Sequence, residues 1–393
     1  CIRDSDIYRH YLNAVRLVER CVFNDVYPLF HVPEALVIAL SKPGVGTFQH
    51  ALSYLSIVLP LGAYSFARKL GSKASTAYLY SSFVTSLSGL GWVVLLRRLV
   101  ELHDLNAALE GIISLTYWDV GYGLGPMLWM WFRPLTAGCT VLLVTLCMVL
   151  RGVSLPLLVL TMSTLALVHP PEYLVLLGTL ACLTFFGHTT DRAPLAAALS
   201  LPVALVGQAV LARWVPWYYD LGAAALVLIS MLASRLRRGI VQLPHWTSKI
   251  VALVYLAYMI EWLTNPYQFR METVNVNRVF YVPLLVYPML LGIQGLVGLV
   301  GLSRVRESQR PFVVSMVFTS FALGKGVSVV NLFLFHTLYG ERRFVPLIHL
   351  ALSLPAASVS SENPLLLLVI VLLGIPSTLL SIGYWDALLS MYL

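Results

Sequence analysis

From about residue 48 to the C-terminus the chain alternates between long apolar runs and short polar segments. The runs fall at about 48–67, 76–96, 126–150, 153–168, 173–187, 194–212, 221–234, 247–264, 279–302, 312–338, 344–358 and 364–383. A helix of ~20 apolar residues crosses a bilayer core, so this pattern predicts a helix-rich membrane protein with about 11–13 spans. Proline stands inside several runs (Pro60, Pro156, Pro202, Pro283, Pro288, Pro376), where a membrane helix kinks rather than ends. Two segments have the helical period but only one apolar face. Residues 5–20 align Ile7, Tyr11, Ala14, Val15 and Val18, with Arg9, Arg16, Glu19 and Arg20 elsewhere on the wheel. Residues 97–113 align Leu99, Leu102, Leu105 and Leu109. Both predict amphipathic helices lying along the membrane interface, the second packed over the bundle.

Composition agrees with that pattern. Hydrophobic residues make up 59% of the 393 and charged residues 11%, against about 25% charged in soluble proteins. So few charges cannot cover a water-facing surface of this size, which leaves lipid as the main solvent. The net charge of +8 does not indicate nucleic acid, because Arg and Lys fall in small clusters between apolar runs and form no basic stripe with interleaved aromatics. Such clusters are what cytoplasmic loops carry. Counting spans from residues 1–47 puts Arg68, Lys69, Lys73, Arg151, Arg192, Arg235, Arg237, Arg238, Lys249, Arg304, Arg306 and Arg310 on one side, the expected cytoplasm. Residues 1–47 then form the first external loop, and 48–393 a single transmembrane body. Arg342 and Arg343 run against the rule. Five cysteines are too few for a disulfide framework. Cys139, Cys147 and Cys182 read as packing residues, and Cys1 and Cys21 as a pair that an oxidising exterior would allow. Ahead of Cys1 a further helix is expected, since the charged head stands without one before it.

The candidate chemistry collects on the expected outer side. Asp4-x-Asp6 has the spacing to chelate a divalent cation, Mg²⁺ or Mn²⁺, or to supply a general base and its orienting partner. Both carboxylates equally suit the start of a helix. His169 and Glu172 flank two prolines where one run meets the next, a corner open to phosphate or carboxylate recognition or simply to water. Asp119, beside Trp118 and the GYGLGP stretch, stands where aromatic rings would stack on a sugar or anchor in the interface. Arg270 and Arg278 lie in the polar 265–278 loop, and guanidinium forks match phosphate oxygens. Lys325, between Gly324 and Gly326, is a charge deep in an apolar run and needs a partner or a wet cavity.

The segment Asp4-Ser5-Asp6-Ile7-Tyr8-Arg9-His10-Tyr11, ahead of a polytopic body, resembles the acidic first external loop of the GT-C glycosyltransferases. His169-Pro170 and Asn277-Arg278, each at an external helix end, are similar to positions in those enzymes. The likeness covers the architecture of the whole chain but few residues specifically. It implies transfer of a sugar from a polyprenyl-phosphate-linked donor on the extracytoplasmic face of the cell membrane. Asp4 or Asp6 would activate the acceptor or hold the metal, and Arg270, Arg278 or Lys325 would hold the donor phosphate. Tyr117-Trp118-Asp119-Val120-Gly121 is similar in letters to a motif of the oligosaccharyltransferase catalytic subunit, but it lies early and no soluble domain follows it. A glycan, lipid or small-molecule acceptor is therefore expected over a protein one. Two other classes fit the same composition: a transporter or lipid flippase, with two related halves and midplane sites, and a non-catalytic integral subunit of a membrane complex.

Overall fold

Fifteen helices carry the described part of the chain. In the computed structural model, the residues described are 6–23, 27–44, 47–48, 54–104, 107, 134–189, 192–212, 217–236, 245–264, 273–274, 279–280, 284–329 and 343–390. The helices are α1 (Asp6–Arg20), α2 (His31–Ser41), α3 (Val58–Lys69), α4 (Ala74–Ser86), α5 (Trp92–Leu102), α6 (Pro134–Arg151), α7 (Leu155–Val168) and α8 (Pro170–Phe185). There follow α9 (Arg192–Gly207), α10 (Trp217–Leu236), α11 (His245–Thr264), α12 (Tyr287–Gly301), α13 (Arg310–Val329), α14 (Val345–Ser360) and α15 (Pro364–Ser390). Helix α9 runs on into a π turn, Gln208–Ala212. Strand pairing among the described residues is limited to Thr273–Val274 against Val279–Phe280.

Among the described residues, three helical stretches are long and apolar enough to cross a membrane: Pro134–Arg151, Arg192–Leu211 and Leu284–Gly301. Several helices also turn a continuous apolar stripe outward. On α9 and its π turn these are Leu195, Leu199, Val203, Val206 and Val210, and on α11 Trp246, Ile250, Leu253 and Val254. A water-soluble chain seldom exposes so much contiguous apolar surface, whereas hydrocarbon solvates it. The all-helical, lipid-compatible character expected from the sequence is therefore present.

The chain groups into two units, residues 1–69, 128–241 and 387–393 in the first and 70–127 and 242–386 in the second. In the first unit α8 packs against α10 and α6, α7 against α9 and α6, α3 against α6, and α1 against α2. Helix α1 has the predicted amphipathic face over Tyr11, Ala14 and Val15, whereas Val18, expected on that face, is exposed. Ala14 is fully buried and Tyr11 and Val15 partly so, against Phe30, Ile38, Phe48, Ala137 and Val168. Arg9, Arg16, Glu19 and Arg20 are exposed. Tyr11 also donates a hydrogen bond to the Pro43 carbonyl at 3.1 Å, which ties α1 to the far end of α2.

In the second unit α14 is the central helix, packed on α12, α13 and α4. Here the apolar run 76–96 departs from the expected single span: helix stops at Ser86 and resumes at Trp92. The interruption survives because its donors are satisfied elsewhere, as buried backbone requires. Ser88 N–H reaches the Gly374 carbonyl (3.2 Å), and Leu90 N–H the Met289 carbonyl (2.7 Å). Trp92 N–H donates to Ser377 Oγ (3.1 Å) and its indole N–H to the Leu373 carbonyl (2.9 Å). Glycine at 89 admits this approach, since a Cβ there would collide with the Met289 carbonyl. Opposite it, Gly292 interrupts α12 with φ +61°, a conformation side-chain-bearing residues avoid. The second amphipathic segment, predicted over 97–113, is interrupted: α5 closes at Leu102 with His103 in the left-handed region, and most of the rest, including Leu105 and Leu109, lies outside the described residues.

Candidate functional site

Two His–Glu pairs, each spanning one helical turn, stand at helix starts in the first unit. Helix α2 opens His31-Val32-Pro33-Glu34, and His31 Nδ1 donates to Glu34 Oε2 at 2.6 Å. The linker into α8 reads His169-Pro170-Pro171-Glu172, and His169 Nδ1 makes the same contact to Glu172 Oε2. In both, proline fixes the first turn and the glutamate sits where the helix dipole favours a carboxylate. All four side chains are buried. With Nδ1 committed to the carboxylate, the chemistry left to each imidazole is at Nε2.

The pairs belong to one neighbourhood. Leu29 N–H donates to the Leu167 carbonyl at 3.3 Å, so the segment entering α2 lies against the end of α7. The Tyr27 ring stands 5.0 Å from the His169 ring. Phe30 and Val168, one residue ahead of each histidine, share a core cluster. Helix α1 adds a fifth member, His10, whose ring lies 5.1 Å from that of His31 and 5.2 Å from Phe30. One donor atom from each of His10, His31 and Glu34 falls within 4.8 Å of the others. Two imidazoles and a carboxylate at that separation are a donor set that can hold a metal ion.

The sequence-predicted residues distribute as follows. His169 and Glu172 meet, as their spacing allows, with Glu172 wholly buried and its Oε1 lacking a hydrogen-bond partner among the described residues. Asp6 is the first residue of α1, one turn before His10. Lys325 lies in the second unit with Nζ 5.1 Å from the centre of the Tyr287 ring, a cation–π contact that supplies the partner an apolar run demands. Asp4, Asp119, Arg270 and Arg278 lie outside the described residues.

Other polar sites are not legible from spacing alone. In the first unit the π turn brings buried Gln208 to Asp220, so that its amide, with Nε2 facing the carboxylate, donates to both oxygens at 3.1 Å. Burial pushes the Asp220 carboxyl up to about 6, with the Gln208 hydrogen bond opposing the rise. In the second unit Gln294 bonds Ser353, which itself donates to the His349 carbonyl at 2.6 Å. Both His349 ring nitrogens are buried without a hydrogen-bond partner among the described residues. His31 and Glu34 had one available signal, the repetition of His-x-Pro-Glu at 31–34 and 169–172. No family model matches this sequence, and no curated protein matches it.

Proposed function

We propose that this chain is a multi-pass membrane glycosyltransferase of GT-C type, its first acidic loop on the extracytoplasmic face. It would move a sugar from a polyprenyl-phosphate-linked donor to a glycan, lipid or small-molecule acceptor in preference to a protein acceptor. The observation that carries the reading is the convergence in the first unit. Helix α1, which starts at Asp6, brings His10 to His31 and Glu34, and the segment entering α2 lies against His169. Helix α1 and the His-Pro corner thus border one buried polar cluster within an otherwise apolar body, an arrangement that supports a transferase working at a lipid surface.

In such a transfer the acceptor oxygen bonds to the anomeric carbon while the bond from that carbon to the donor phosphate oxygen breaks. The acceptor proton passes to a carboxylate, assigned here to Asp4 or Asp6. The departing phosphate keeps the bonding electrons and needs compensating charge, a role suited to Arg270, Arg278, Lys325 or a Mg²⁺ or Mn²⁺ ion at Asp4 and Asp6. His169 and Glu172 would orient the polar end of a substrate.

The test uses the full chain in proteoliposomes supplied with radiolabelled polyprenyl-phosphate mannose and polyprenyl-phosphate glucose. Turnover of either donor by the native chain, abolished in Asp4→Asn or Asp6→Asn while insertion is unchanged, supports the assignment. Native turnover in both single variants and in the double variant overturns it.

A second reading, a lipid carrier, has its own observation: the interrupted α4–α5 segment facing the non-helical Gly292. Broken helices at membrane depth line transport sites. Flux of labelled lipid across vesicles without chemical change would move the ranking to this reading.

A further inference from the structure

We propose that His10, His31 and Glu34 form a binding site for one divalent transition-metal ion of the zinc or manganese class. The set uses neither carboxylate of the Asp4-x-Asp6 motif and does not depend on the transferase reading. Its donors arrive from two helices, His10 from α1 and His31 with Glu34 from α2, and their candidate ligand atoms lie within 4.8 Å of one another. Around an ion with bonds of about 2.1 Å, tetrahedral donors stand roughly 3.4 Å apart, so small side-chain rotations close the set. Two nitrogens and one carboxylate favour zinc or manganese, whereas Mg²⁺ and Ca²⁺ prefer all-oxygen shells.

Burial strengthens the case. His31 is 2% exposed and Glu34 1%, and buried charges are retained where they are paired or coordinate a metal. Phe30 packs edge-on against both imidazoles, with ring centres 5.2 Å from His10 and 5.3 Å from His31, which forms an apolar wall and fixes both ring planes. His10 is only partly buried, and an ion held by these three donors would take a water or substrate oxygen as its fourth ligand.

The molecule contains its own comparison. His169 and Glu172 repeat the pair at the same spacing and in the same hydrogen bond, at a helix start, with His169 as the N-cap of α8 where His31 is the first residue of α2. Among the described residues no third His, Cys, Asp or Glu donor joins them. The pair alone is thus a way to start a helix, and the arrival of His10 is what makes the first copy a metal site.

The test takes the full chain in detergent, stripped with chelator, and titrates it with ZnCl₂, MnCl₂ and MgCl₂ by calorimetry. Metal content after gel filtration and melting temperature serve as further readouts. One equivalent of Zn²⁺ or Mn²⁺ is expected to bind, with Mg²⁺ failing to compete. His10→Gln and Glu34→Gln are expected to weaken binding by about tenfold or more and to lose the metal-induced rise in melting temperature. His169→Gln keeps the native stoichiometry. His10→Gln changes a half-buried side chain, so it remains decisive should Glu34→Gln not fold. Absence of a stoichiometric Zn²⁺ or Mn²⁺ site, native affinity in His10→Gln, or equal loss in His169→Gln would each overturn the site. None of these outcomes bears on turnover in the Asp4 and Asp6 variants, so the two ideas fail separately.

Discussion

Gly138 of α6 approaches Glu172 of α8 so closely that a Cβ on the glycine would stand 2.7 Å from Glu172 Oε2 and 2.9 Å from the His169 Cβ. The missing side chain is what lets a hydrogen-bonded His–Glu pair fit between two packed helices. Substituting alanine must displace the pair or spread the helices, and overpacking of this kind costs ~1–3 kcal/mol. Gly138→Ala is therefore expected to lower the melting temperature of the detergent-solubilised chain. Gly62→Ala is the matched control, because its nearest neighbour would be an ordinary 3.8 Å away and alanine favours the helix by roughly 0.5–1 kcal/mol. Equal melting temperatures for the two variants would refute the packing argument.

Tyr255 donates its hydroxyl to the Gly292 carbonyl at 2.7 Å, holding α11 to the point where α12 loses helical geometry. A Cβ on Gly292 would meet the Gly89 Cα and the Ser88 carbonyl at 3.1 Å, on top of the strain at φ +61°. Gly292→Ala is expected to destabilise the chain more than Tyr255→Phe. The latter leaves one buried carbonyl unpaired, at ~1–3 kcal/mol. Chemical denaturation of both variants, followed by tryptophan fluorescence, gives the order.

Asp220, one residue ahead of the apolar run 221–234, makes stability depend on pH. Its folded carboxyl titrates at about 6, raised chiefly by burial, against about 3.9 for an unfolded aspartate. A folded value above the unfolded one means the native state holds the proton more tightly. The resulting stability is full below about pH 4 and is lost as pH rises through 6. Melting temperature should therefore fall between pH 4 and pH 6.5 by an amount that Asp220→Asn removes, since asparagine stays neutral beside Gln208. A profile of unchanged shape in Asp220→Asn would exclude this group as the source.

Much of the local structure was legible because it depends on neighbours in sequence. Apolar runs and their polar breaks located α7, α8, α9 and α11 within a few residues, and the 3.6 period of Tyr11, Ala14 and Val15 identified both α1 and its buried face. His169 and Glu172 were found the same way, since an i,i+3 pair at a proline corner is a local object. The break at 87–91 was not legible. Gly89 and Gly91 permit it, but the carbonyls of Met289 and Gly374 that stabilise it lie far along the chain. Nor did the short apolar stretch of α2 stand out as a helix within a segment read as loop.

Alone, then, the order of residues determined that this chain is helical, that lipid suits most of its surface, and where charge and proline punctuate it, since hydropathy and period are properties of adjacent positions. Tertiary structure decided that His10 meets His31 and Glu34, that Gln208 reaches Asp220, and that Lys325 lies by Tyr287. Those contacts depend on how helices distant in sequence pack, and packing is set by the shapes of whole faces, with glycines such as Gly138 admitting what a larger side chain would exclude.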